Sequence, residues 1–187
     1  MPPKVKVSRE QVLDTAFEMT REDGFDGLTA RKLAAKLGSS TQPIFRAYEN
    51  MEALREDIYY RSVDFFSREM LKRTGKGEPG YLAMGMTYIE LAKGERHLFE
   101  LVASVREHKG DEVHEYLQKG DCRELLEELP GTSHMDPKQK RELLGLIWIF
   151  VHGMATQAAG GQLRLTDGEI KALLELAYGG FLDALSV

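Results

Sequence analysis

Between Gly38 and Tyr48 the chain reads Ser-Ser-Thr-Gln-Pro-Ile-Phe-Arg-Ala, and its polar members are the residues best suited to chemistry. Ser40, Thr41 and Gln42 set hydroxyls and an amide side by side, and Arg46 adds a guanidinium. Such groups hydrogen-bond the edges of base pairs in a major groove, or phosphate oxygens. A buried helix pair would need none of them.

These residues must be held outward by an element that turns sharply. Leu33, Ala34 and Leu37 form the apolar face of a short helix over about 30–37 that ends at Gly38. Ser39 or Ser40 is expected to cap a second short helix over about 41–47. Pro43 fits its first turn, where a missing N–H loses nothing. Two short helices joined by so brief a turn cross steeply, a helix-turn-helix. Leu33, Leu37 and Ile44 can close the angle, with a helix over about 9–22 behind them. Ser8-Arg-Glu-Gln11 reads as the capping box of that helix, and Gly24 as its stop. Asn50 is placed to cap a long helix over about 51–72. Beyond the Gly-rich break at 73–80, further helices are predicted at about 81–93, 95–106, 111–129, 136–160 and 167–185. No strand-like alternation is present, so the fold class is all-α, with about nine helices.

Residues 8–60 resemble the DNA-binding domain of the TetR/AcrR repressor family. The stretch "LTARKLAAKLGSSTQPIFRAYENMEAL" is similar to the family pattern at nearly every structural position. The resemblance implies that Thr29, Phe45 and Tyr48 touch DNA phosphates. It implies that Thr41, Gln42, Pro43 and Arg46 face bases or the adjacent backbone, with Ser40 on the same exposed edge. One departure is Met51, which precedes Glu52 where many relatives carry a Lys. Two further stretches, "MTYIELAKGERHLFELV" and "WIFVHGMA", look like a C-terminal domain of the WHG-like branch. The implied organisation is a head at 1–50 and a helical ligand-binding and dimerisation domain at 51–187, with helix 51–72 connecting them.

Composition agrees with that division. The net charge is −5, yet residues 1–48 carry eight basic and six acidic side chains. That leaves a mildly basic head on an acidic body, as polyanion binding would need. The single cysteine, Cys122, has no disulfide partner and fits a reducing cytoplasm. No run approaches ~20 uninterrupted apolar residues, so no membrane span is expected. The sequence has no nucleophile elbow, phosphate loop or paired catalytic carboxylates. His97, His108, His114 and His134 stand at no metal-ligand spacing. No catalytic residue, metal or cofactor is therefore assigned.

From Leu143 to Ala155 nearly every residue is apolar, so more than one face of that helix must be hidden. Leu143, Ile147, Val151 and Met154, with Leu173, Leu176 and Phe181 of the last helix, are expected to form a twofold interface with a second copy. Met84, Tyr88, Phe99, Trp148, His152 and Gln157 are the expected contacts for a small hydrophobic effector. The expected function is that of a dimeric, DNA-binding transcriptional regulator, a repressor of a palindromic operator released by its effector. The alternatives are a constitutive DNA-binding protein and, more remotely, an enzyme with a helix-turn-helix appendage.

Overall fold

The computed structural model describes residues 7–73, 77–103 and 129–186. Eight α-helices and no strands occur among them. The expected helix over 111–129 lies outside the described residues, and so do Cys122, His108 and His114. The chain divides into two units, Met1–Phe65 with Glu95–Ser104, and Phe66–Gly94 with Val105–Val187. This differs from the expected boundary at residue 50. The first unit keeps most of the fourth helix and recovers a later segment.

In the first unit, helix α1 (Arg9–Asp23) begins at the expected capping box. The Gln11 N–H donates to the Ser8 hydroxyl at 3.1 Å, and the Ser8 N–H donates to the Gln11 side chain at 2.9 Å. Gly24 stops the helix at φ 80°. After a 3-10 turn at Phe25–Gly27 come α2 (Ala30–Lys36), α3 (Gln42–Ala47) and α4 (Met51–Leu71). Asn50 caps α4 by accepting the Ala53 N–H at 2.8 Å. Val12, Ala16, Phe17, Leu33, Ala34, Ile44, Leu54 and Ile58 are buried as the core of this unit. Helix α6 (Arg96–Ala103) belongs to it as well. The residue before it, Glu95, takes two hydrogen bonds from the Arg21 guanidinium, one from Nε at 2.7 Å and a second from Nη2. A Cβ on Gly24 would stand 3.2 Å from His97 Nδ1, so both the backbone angle and this approach select glycine.

The second unit is built from α5 (Gly80–Gly94), α7 (Pro137–Ala159) and α8 (Asp167–Leu185). The three converge at Gly85, where a Cβ would lie 3.2 Å from Val151 and 3.3 Å from Leu174. Tyr81 stacks on Tyr178 at 3.9 Å between ring centres. The Tyr178 hydroxyl donates to the Pro130 carbonyl at 2.8 Å, and burial raises its pKa. Capping boxes at Asp136 and Thr166 start α7 and α8. Among the described residues, α7 alone is long and apolar enough to cross a membrane by length and mean hydropathy. Here its Leu143, Leu144, Ile147, Val151, Met154, Ala155 and Ala158 are buried within the unit.

Candidate nucleic-acid interface

The turn between α2 and α3 is fixed by backbone hydrogen bonds. The Ser39 N–H donates to the Ala34 carbonyl at 2.9 Å, and the Gly38 N–H to Ala35 at 3.1 Å. That pair of bonds closes a helix end only if the residue at Gly38 is left-handed, and its φ is 61°. An added Cβ there would touch nothing within 4 Å. Glycine is present for its backbone freedom, not for space. Leu33 and Ile44, 0% and 1% exposed, close the angle from inside.

The cap of α3 differs from expectation. Thr41, not Ser39 or Ser40, is the N-cap residue, and its side chain makes no capping hydrogen bond. Its backbone is already helical (φ −71°, ψ −14°), which points the hydroxyl away from the N–H groups it would cap. The Ser39 hydroxyl donates to the Ser40 carbonyl at 3.0 Å instead.

The residues expected to meet DNA fall into three groups. Ser40, Gln42, Arg46 and Thr29 are exposed. Thr29 also accepts the Lys32 N–H at 3.2 Å, so it caps α2 from an exposed position. Thr41 and Pro43 are half-buried. Phe45, 50% exposed, turns its ring outward one position after the buried Ile44. Arg31, Lys32 and Lys36 add exposed positive charge on α2.

Tyr48 is the exception. Its ring is 3% exposed, and its hydroxyl donates to Asp57 Oδ2 at 2.8 Å. The same oxygen accepts Arg9 Nη2 at 2.9 Å, and the Arg9 guanidinium lies 4.7 Å from the centre of the Tyr48 ring. Burial raises the Tyr48 pKa, so the phenol stays neutral. The hydrogen bonds from Arg9 to Tyr48 and Asp57 raise that of the guanidinium. Arg9 and Asp57 lie 48 residues apart and neither stands in the turn, so no local pattern in the sequence joins them.

In the second unit Tyr88, Trp148 and His152 do come together. The Tyr88 hydroxyl is 3.1 Å from His152 Nδ1, and the Tyr88 and Trp148 rings are 4.8 Å apart. Desolvation lowers the His152 pKa. Met84 sits one turn before Tyr88 on α5, half-buried. Phe99 is buried on α6. Gln157 has an exposed side chain near the end of α7. Among the expected interface residues, Leu143, Ile147, Val151 and Met154 are buried in their own unit, because that is the stripe of α7 that meets α5 and α8. Leu173 and Phe181 are half-buried, and Leu176 is exposed. Among the described residues no three His, Cys, Asp or Glu side chains gather as a metal ligand set.

The head therefore defines an all-helical protein with an N-terminal helix-turn-helix whose second helix bares its leading turn. Residues 12–58 match the family model described as bacterial regulatory proteins, tetR family. The chain is 45% identical over 64 residues to the tetracycline repressor protein class D of Escherichia coli, covering 32% of this chain and 29% of that protein. It is 32% identical over 72 residues to an uncharacterized HTH-type transcriptional regulator of Mycobacterium tuberculosis, covering 38% of this chain and 33% of that one. The chain thus matches about a third of the length of these relatives. A putative TetR-family transcriptional regulator from Vibrio parahaemolyticus shares the fold over 92% of this chain and 97% of its own, with a TM-score of 0.62 and 22% identity. A TetR-like transcriptional regulator from Rhodococcus sp. RHA1 aligns with a TM-score of 0.58 and 19% identity, covering 95% of this chain and 96% of that one. The tetR-family match thus covers the helix-turn-helix head, and the likeness to the solved structures extends the fold, though not the family match, over the rest of the chain.

Proposed function

We propose that this chain is a DNA-binding transcriptional regulator that acts in the cytoplasm as a homodimer on a palindromic operator, a repressor released by a small hydrophobic effector. One observation carries the reading. Ser40 and Gln42 at the start of α3 and Phe45 and Arg46 in its last turn are exposed, while Leu33 and Ile44 close the fold behind them. Exposed amide and guanidinium groups on a short helix meet base edges when the helix lies in a major groove. The names of the relatives, a tetracycline repressor and an HTH-type regulator, point the same way.

A dimer is proposed on both geometric and functional grounds. One head reads few base pairs, and two heads one turn of DNA apart, about 34–36 Å, read a palindrome. Ile149 on α7 and Leu176 on α8 are 70% and 73% exposed. Near them in sequence, Gly145, Gly153 and Gly180 leave room for a facing helix, since a Cβ on any of them would meet nothing within 4 Å. The proposed interface therefore uses Ile149, Leu173, Leu176 and Phe181. For the effector, Tyr88, Trp148 and His152 offer an apolar aromatic wall with one polar pair, the Tyr88 hydroxyl and His152 Nδ1. The test is operator binding by gel shift. Arg46→Ala and Gln42→Ala are expected to weaken it by roughly 1–3 kcal/mol each. Wild-type affinity in both variants would remove them from the reading edge.

A further inference from the structure

The cluster of Arg9, Tyr48 and Asp57 has no part in the reading edge described so far. Tyr48 stands two residues after Arg46 and caps the C-terminus of α3 in an extended conformation. Its ring is buried and its hydroxyl proton is directed to Asp57, so its polar end already has a partner. Arg9 is different. Its side chain is 63% exposed, yet its guanidinium is not free to wander. One N–H is held by Asp57, and its central carbon stands 4.7 Å over the Tyr48 ring. A guanidinium has five N–H donors, so most remain available.

We propose that Arg9 is a phosphate-contacting residue of the DNA interface, positioned by Asp57 and Tyr48, and that Tyr48 itself is the platform and not a phosphate ligand. The proposal rests on the DNA-binding reading above. The arrangement orders a long cation in advance beside the end of the reading helix, which reduces the entropy lost when it meets a phosphate. It also places a fixed positive charge in the head. Exposed Glu49 follows Tyr48 directly, and Arg9 offsets its repulsion of a phosphate backbone.

Salt dependence separates a phosphate contact from a structural role. Each phosphate neutralised by a cation contributes about 0.9 to the slope of log affinity against log salt. The experiment measures the affinity of the full chain for a duplex selected from a random pool, and for a scrambled duplex, between 50 and 200 mM salt, with the thermal midpoint of every variant recorded. Arg9→Gln is expected to lower the slope by about 0.9, so that the loss of affinity across that range becomes roughly threefold smaller. The weakening should be similar on selected and scrambled DNA. Arg9→Lys should restore the slope, and Tyr48→Phe should leave it unchanged. An unchanged slope in Arg9→Gln, with a wild-type thermal midpoint, would overturn the proposal. So would a Tyr48→Phe variant that folds normally and loses binding more than Arg9→Gln does. Failure of the wild-type chain to bind any duplex would remove the DNA-binding reading itself, a result distinct from either.

Discussion

Replacing Ile149 with Glu separates the interface proposed here from the one the sequence suggested. Ile149 is 70% exposed on α7. Fully burying such a side chain is worth roughly 1.5–3 kcal/mol, so covering the exposed share contributes about 1–2 kcal/mol per copy. A twofold axis uses the residue twice, which doubles this to about 2–4 kcal/mol. The dimer should therefore weaken between about 30-fold and 1,000-fold from lost burial alone. Two carboxylates entering an apolar contact without partners add to the loss. The isolated subunit should be unaffected, since a substitution at an exposed position shifts stability by about 0.5 kcal/mol or less. Sedimentation velocity over a dilution series reads the association. Urea unfolding of the monomer reads the fold. A dimer of unchanged affinity in Ile149→Glu would refute the proposed face, and a variant that unfolds outright would refute the assignment of Ile149 to the surface.

Ile147, two residues away, should behave in the opposite manner. It is buried within its own unit, and Ile147→Ala is expected to destabilise the fold by about 2–5 kcal/mol while leaving subunit association unchanged at temperatures where the chain stays folded. Denaturant unfolding and sedimentation of the same variant check both halves. The His152 imidazole gives a pH dependence. Its native pKa is lowered by desolvation, so below about pH 6.5 the unfolded chain takes up a proton that the native ring resists. This contribution to stability is full above that pH and is lost as pH falls toward the native pKa. His152→Gln should flatten the fall in stability between pH 7.5 and 5.5. An equal fall in both proteins would show that His152 does not titrate in that way.

The elements that could be read from the sequence are those whose signals are local. The Ser8 capping box, Gly24, Thr29, Gly38 and Asn50 each act within a few residues, and the helices begin and end within a residue or two of where they point. The exposed edge at Ser40, Gln42 and Arg46 was equally legible, because the buried Leu33 and Ile44 fix which way a six-residue helix faces. The cap of α3 was not, since its Thr41 backbone turns helical one residue early. Nor was the inner stripe of α7. Between Leu143 and Ala155 apolar residues surround the helix, so periodicity does not say which of them face α5 and α8. Arg9, Tyr48 and Asp57 are joined only by the fold.

If the exposed edge of α3, one copy per subunit, reads duplex DNA, selection of bound duplexes from a random pool by the purified chain, followed by sequencing, will return a palindrome. Its half-sites will be centred about one helical turn apart, enriched by wild type and lost in Arg46→Ala. A pool that stays random through the rounds, or a single unpaired site bound equally by both proteins, would contradict it.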